Sequence, residues 1–134
     1  MKRITIDALE QQAEAMHVRI LDTDIPGTTC GLYCDRLSTI WLADWLNDRQ
    51  RLCTLCHELV HARYHDVGCG TQFSRKFERR ARRETALTLI DPMAYGLAES
   101  IWDADAWHMA GDLGVTMQVL TDYRQILSEH VCIV

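Results

Sequence analysis

The sequence predicts a single domain of the α+β class, in which a small antiparallel sheet packs on a central helix and the C-terminal half is helical. Three observations lead to this prediction. Turn formers separate short apolar runs in the first third of the chain, the apolar period changes to about 3.6 after Asn47, and no linker or internal repeat interrupts residues 1–134. With 134 residues, 48% of them hydrophobic, the chain can bury a core of its own.

The N-terminal third alternates apolar runs with turn formers. Residues 7–16 are predicted to form a helix, because Leu9, Ala13 and Met16 recur at helical spacing behind Asp7, which can cap the helix. Residues 17–21, 31–34 and 38–42 are predicted strands, the first followed by a turn-forming segment. We expect these three strands to form the antiparallel sheet.

Helical periodicity dominates from Asn47 onward. Asn47 and Gln50 have the spacing of a capping box, and a leucine-rich face follows them. We expect this central helix to end near Asp66, because the glycines at positions 68 and 70 can adopt left-handed conformations. A second helix is predicted for residues 74–90, ending before Pro92. Further helical segments complete the chain.

Composition and charge exclude several classes of function. The formal net charge is −5, so the overall balance does not favour nucleic acid or an anionic membrane as a partner. The N-terminal apolar run is too short for a signal peptide, and no window approaches the roughly 20 apolar residues of a membrane span. Without export signals, the six cysteines are expected to be reduced thiols. We therefore expect a soluble cytoplasmic protein.

The segment His57-Glu58-Leu59-Val60-His61 is an H-E-x-x-H motif inside the predicted central helix. Histidines at i and i+4 lie one turn apart on the same face, so both imidazoles can bind one metal ion at about 2.0–2.1 Å. Glu58 lies about 100° further around the helix, where it can accept a proton from water activated by the metal. The motif predicts metal-assisted hydrolysis with Glu58 as the general base.

A catalytic zinc needs a third protein ligand. Cys53 and His65 continue the histidine stripe, but each lies about 12 Å along the helix from the more distant histidine and cannot reach the same ion. The candidates are Glu78 and Glu84 on the following helix. Small residues after Glu78 would let that helix approach closely, whereas Glu84 also suits pairing with neighbouring arginines. Because the two lie about 240° apart on the helix, at most one can serve.

Two stretches resemble the ImmA/IrrE group of metallopeptidases. The first is residues 50–63, which contain the H-E-x-x-H motif, and the second is residues 78–90, which read E-R-R-A-R-R-E-T-A-L-T-L-I. Residues 113–120 also resemble the small C-terminal helical portion of such proteins. The resemblance covers most of the chain and implies a minimal zincin-like domain that binds zinc (Zn²⁺) through His57, His61 and Glu78.

The resemblance also implies a biological role and reveals one departure. It implies that the protein substrate is a helix-turn-helix repressor in a phage, mobile-element or stress-response circuit. Arg82 stands where the family usually has Asp or Asn. If that position supplies an acceptor that orients a ligand histidine, we expect its loss to weaken metal affinity about 10–100-fold.

Other interpretations remain open on the sequence alone. The chain could be a non-catalytic module that retains the metal and contacts a repressor or nucleic acid through its basic helix, although a solvated helix face is the simpler explanation of the charges. A structural zinc site at Cys53 and Cys56 is a third interpretation, but no second C-x-x-C follows. No oligomeric state is predicted. The candidates for the oxyanion-stabilising residue are Tyr64, Tyr95, Tyr123, His65 and His108.

Overall fold

Six helices and three strands make up the part of the chain that the computed structural model describes, residues 3–68 and 73–131. The elements in chain order are α1 (Ile6–Ala15), β1 (Arg19–Thr23), β2 (Gly31–Cys34), β3 (Thr39–Ala43), α2 (Asp48–Arg63), α3 (Arg75–Leu89), α4 (Pro92–Trp102), α5 (Ala106–Leu113) and α6 (Met117–Val131). A small sheet with a helical C-terminal half confirms the predicted α+β class.

The sheet is mixed, so the prediction of a wholly antiparallel sheet was wrong. Its strand order is β1-β3-β2, with β1 parallel to β3 and β2 antiparallel to β3. No strand order was predicted from the sequence. The β2–β3 hairpin inserts β3 between its two neighbours, because β3 is the most thoroughly buried strand and the centre of the sheet is the most protected position.

Local capping explains where the first two helices begin and end. The predicted capping box of α2 is confirmed: Asn47 Oδ1 accepts from the Gln50 amide at 2.8 Å, and Gln50 Oε1 accepts from the Asn47 amide at 2.9 Å. At its other end α2 stops at Arg63, close to the predicted end near Asp66. The residue that adopts the left-handed conformation there is His65 (φ 53) rather than a glycine. Position 70 lies outside the described residues. The cap of α1 is Thr5, not Asp7, which lies in the first turn.

Helix α2 lies at the centre of the domain, in contact with α1, α3, β2 and β3. Leu55 and Leu59 on this helix are fully buried. Ala81 and Thr85 of α3 are buried as well, so the small side chains predicted to allow close helix approach do lie inside the domain. Helix α3 begins after Ser74, whose side chain caps the Phe77 amide.

Among the described residues, none of the helices is both long enough and apolar enough to cross a membrane.

Candidate metal centre

Three side chains from two helices converge at one point. His57 and His61 project from α2, and Glu78 reaches them from the first turn of α3. His61 Nε2 lies 2.8 Å from Glu78 Oε1, and His57 Nε2 lies 3.3 Å from Glu78 Oε2. One ligand atom from each of the three residues lies within 4.8 Å of the others, close enough for all three to bind one ion. The H-E-x-x-H motif predicts the pair of histidines, and Glu78 is the third ligand that the family resemblance implies.

Glu84, the other candidate for the third ligand, lies elsewhere. One of its carboxylate oxygens accepts a hydrogen bond from the Tyr64 hydroxyl at 2.5 Å, and the other lies 3.5 Å from an Arg63 guanidinium nitrogen. Glu84 therefore holds the outer part of α3 against the end of α2. Pairing with an arginine was the other explanation predicted for Glu84 from the sequence. The structure shows such a pair, and the arginine, Arg63, lies on α2.

Two groups, Asp66 and Phe73, contact the ring of His61 and fix its orientation. Its Nδ1 lies 2.8 Å from Oδ2 of the buried Asp66, whose other oxygen is paired with Arg80. The Phe73 ring stacks on the imidazole at a centroid distance of 3.9 Å and an interplanar angle of 15°. The Arg80 guanidinium lies over the Tyr64 ring, 3.8 Å from its centroid. Because of these contacts, the ring of His61 points its Nε2 at Glu78.

The donor set fits a divalent metal ion. In the metal-free protein a proton on His61 Nε2 makes the hydrogen bond to Glu78. Loss of that proton, with the Nδ1–H still donating to Asp66, would leave the Nε2 lone pair free to bind an ion at the same place. Hydrogen bonds from His57 and His61 hold the pKa of Glu78 well below its usual range, so this carboxyl is ionised. Two imidazole nitrogens and one carboxylate oxygen form the ligand set of many catalytic zinc sites. The residues present can therefore hold such an ion.

Glu58 is buried beside the three-residue cluster without belonging to it. The residue is only 7% exposed, and its Oε1 has no hydrogen-bond partner among the described residues. Burial raises the pKa of Glu58, and the neighbouring histidines partly oppose this increase. A buried carboxylate with an unpaired oxygen is a strong proton acceptor.

Strand β2 comes close to α2 directly at Glu58. A Cβ atom placed on Gly31 would lie 2.6 Å from the Thr54 methyl and 3.3 Å from Glu58 Cγ. Only glycine leaves room for the strand and the helix at this distance. The close approach brings the start of β2 to the rim of the candidate metal centre.

A cleft opens on this centre from two directions. A cavity of about 400 Å³ reaches His57, Glu58 and Glu78 and is walled on its far side by residues of α6, including Gln118 and Asp122. A second cavity of about 410 Å³ reaches the same three side chains from the side of β2 and Phe73. The candidate metal centre is therefore accessible to a molecule in solvent.

Several residues singled out in the sequence lie outside this centre. Cys53 and Cys56 are buried thiols, and burial raises the pKa of Cys56 to about 12, which suits packing. His65 is exposed and pairs with Asp35 at 2.9 Å. Within the described residues, neither cavity that reaches the centre is lined by any of the five candidates for the oxyanion-stabilising residue, Tyr64, Tyr95, Tyr123, His65 and His108.

The structure also changes the expectation for Arg82. The hydrogen bond that orients the ring of His61 joins its Nδ1 to Asp66. An arginine at position 82 therefore leaves this hydrogen bond in place. Arg82 is exposed and lines the cleft. Sequence reasoning missed Asp66, Phe73 and Arg80. The one signal that could have found Asp66 is a carboxylate at the end of the motif helix, five residues after His61.

Replacing Asp66 with asparagine is expected to weaken zinc affinity about 10–100-fold, because the neutral amide orients and polarises His61 less well than a carboxylate. The measurement is a zinc titration in competition with a chelating indicator. Asp35→Asn is the matched control, since Asp35 makes the same kind of hydrogen bond to His65, outside the centre. Equal affinities in the Asp66→Asn variant and the wild type would show that Asp66 has no part in orienting the ligand.

A metallopeptidase is the class of protein that this fold and site define, since an α+β domain presents two histidines, a glutamate from the next helix and a separate buried glutamate. The chain belongs to the peptidase family described as the IrrE N-terminal-like domain, whose model matches residues 1–121. The resemblance to the ImmA/IrrE group is thereby confirmed. No curated protein and no solved structure shows a significant match to the chain.

Proposed function

We propose that the chain is a zinc-dependent endopeptidase that cleaves a regulatory protein, with Glu58 as its catalytic residue. The observation that carries the proposal is the convergence of His57, His61 and Glu78 beside the unpaired oxygen of Glu58. The substrate that we propose is a helix-turn-helix repressor or a similar regulatory protein, as the resemblance to the ImmA/IrrE group implies. Membership in a peptidase family supports a protein substrate.

His57, His61 and Glu78 would hold the zinc ion in this proposal. Three protein ligands leave a position for water or substrate, which distinguishes a catalytic zinc site from a closed structural one. A bound zinc ion polarises the scissile carbonyl and lowers the pKa of the attacking water. The pairing of His61 with Asp66 and the stacking of Phe73 on its ring would hold this proposed ligand in place.

Glu58 would carry the proton in both halves of the reaction. Its buried carboxylate would first accept a proton from the attacking water at Oε1, the atom that has no hydrogen-bond partner in the described part of the chain. The neutral acid that results is the form that burial favours, so the transfer is assisted by the surroundings. The same group then donates the proton to the leaving amine, which completes cleavage of the peptide bond.

Strand β2 offers a binding surface for the substrate backbone. One edge of β2 pairs with β3, and its other edge is unpaired within residues 3–68 and 73–131. Gly31 and Leu32 of this strand line the same cavity as Glu58. An extended peptide can add to a free sheet edge through main-chain hydrogen bonds, which bind any sequence. This arrangement suits cleavage within a chain.

Metal removal tests the proposed function directly. The purified chain is expected to contain about one zinc per chain by inductively coupled plasma mass spectrometry, as a single His/His/Glu site requires. Incubation with a purified helix-turn-helix repressor should give defined fragments by intact-mass spectrometry. Chelation should stop cleavage, and added zinc should restore it. A fully zinc-loaded protein that cleaves neither the repressor nor a mixed peptide library would contradict the proposal.

A further inference from the structure

A groove lined by cationic side chains runs between α3 and α6 and adjoins the cleft. Its volume is about 420 Å³. The groove is lined by five cationic side chains of α3 and by two carboxylates of α6. The cationic side chains are Lys76, Arg79, Arg80, Arg82 and Arg83, and the carboxylates are those of Asp122 and Glu129. The groove is therefore positive although the whole chain carries a formal net charge of −5.

Two of the five cations are already engaged within the fold. Arg80 is paired with the buried Asp66, and Arg83 lies 3.5 Å from Glu129. The other three, Lys76, Arg79 and Arg82, form no ion pair with any of the residues that the structure describes, and all three are exposed. Three adjacent cations that form no ion pair repel one another, so an anionic ligand would relieve this repulsion.

The groove and the cleft are continuous. Arg82 and Asp122 line both cavities, so a chain that lies in the groove leads directly to His57, Glu58 and Glu78. The floor of the groove includes Ile126, which is only 6% exposed, so apolar contact accompanies the charge. A peptide that enters the cleft would therefore continue along α3.

We propose that this groove, defined by Lys76, Arg79 and Arg82, binds an acidic segment of the protein substrate that lies a few residues from the scissile bond. The inference rests on the proposed function and adds a specificity determinant to it. The β2 edge binds main chain without regard to sequence, whereas the groove selects aspartate and glutamate side chains. Peptide is favoured over nucleic acid because the groove opens into the cleft that contains His57, Glu58 and Glu78, and because the net charge of the chain is negative.

Binding to paired synthetic peptides tests the groove separately from catalysis. The probes are two fluorescein-labelled peptides of identical sequence, except that a block of glutamates in one is replaced by glutamines in the other. The zinc-loaded Glu58→Gln chain is titrated with each peptide and followed by anisotropy, so that cleavage does not interfere. The acidic peptide is expected to bind more tightly, and the difference should shrink as salt is raised.

Charge variants locate the binding surface. The Arg79→Gln/Arg82→Gln double variant should weaken binding of the acidic peptide about three- to tenfold, as expected for the loss of two exposed charge pairs. Lys76→Gln should weaken it further. The matched control is Arg19→Gln/Arg36→Gln, which removes the same charge from exposed positions on β1 and the β2–β3 turn and should leave binding unchanged.

Each outcome bears on the proposal. Equal binding of the two peptides, equal weakening by the control variant, or displacement by a single-stranded oligonucleotide as readily as by unlabelled acidic peptide would overturn it. Selective binding by a chain that hydrolyses nothing would uphold the groove and reject the endopeptidase. Hydrolysis by a chain that binds the two peptides equally would uphold the endopeptidase and reject the groove. The failure of one proposal is therefore distinguishable from the failure of the other.

Discussion

Glu58→Gln is expected to reduce peptide hydrolysis by about 10²–10⁴-fold while zinc content stays at the wild-type level. Glutamine has nearly the same shape as glutamate but cannot accept the proton of the attacking water. The side chain lies beside the three-residue cluster and contributes no atom to it, so its replacement leaves the ligand set of His57, His61 and Glu78 complete. The measurements are kcat/KM on a cleaved peptide and the zinc stoichiometry of the same preparation.

The same variant separates an enzyme from a non-catalytic module. A module that uses zinc only to hold its fold or to sense the metal should bind its partner equally well with glutamate or glutamine at position 58. Full activity in the zinc-loaded Glu58→Gln variant would contradict the assignment of the general base. Loss of both zinc and activity would mean that Glu58 is needed for metal binding rather than for proton transfer.

Stability should change in the direction opposite to activity. The pKa of Glu58 in the folded protein is raised above its ordinary value of 4.5, so the unfolded chain releases this proton more readily than the folded one. The resulting stabilisation is present below the unfolded pKa and is lost as pH rises through the folded pKa. At neutral pH, metal-free Glu58→Gln should therefore melt at a higher temperature than the metal-free wild type, and the gap should narrow in acid. This is the pattern expected where a catalytic group is kept at the expense of stability.

Local sequence signals predicted the parts of the molecule that depend on nearby residues. The capping box at Asn47 and Gln50 and the one-turn spacing of His57 and His61 are properties of a single helix, and both appear in the structure as predicted. His65 also lies outside the cluster, but it stands beyond the end of α2 in the left-handed region, so its position does not follow from the rise along the helix. Predicting Glu78 required knowing that α3 packs on α2. The small residues that follow Glu78 and the family resemblance together indicated this packing.

Long-range features were not predictable in the same way. The order of the strands depends on which strand is buried most, and that is decided by the whole domain rather than by the turns between strands. Asp66 lies just beyond the end of α2, where the chain has turned back so that its carboxylate reaches His61. Arg80 was visible in the sequence only as one of six basic residues on a helix. Its pairing with Asp66 distinguishes it from its neighbours once α3 is packed on α2.

Glu78→Ala is expected to lower zinc affinity by more than the roughly 10–100-fold that loss of a residue hydrogen-bonded to a ligand costs, because it removes one of the three proposed ligands. Only the two histidines of α2 would remain as protein ligands. Water would fill the other positions around the ion. Glu84→Ala is the matched control, with the same substitution on the same helix. Among residues 3–68 and 73–131, Glu84 pairs with Arg63 and Tyr64, outside the three-residue cluster, so its loss should cost about 0–1 kcal/mol of stability and no zinc.

The comparison of these two variants decides which carboxylate binds the metal. Zinc content by mass spectrometry, after dialysis against a weak chelator, should fall close to zero for Glu78→Ala and stay near one per chain for Glu84→Ala. Undiminished zinc in Glu78→Ala would move the third ligand elsewhere and would remove the basis for an open catalytic site. Because Glu78 also lies within hydrogen-bond distance of His61, the loss of zinc should be checked against a folded far-ultraviolet circular dichroism spectrum. A folded, metal-free Glu78→Ala chain would show that α3 supplies the ligand and that the loss of zinc does not result from unfolding.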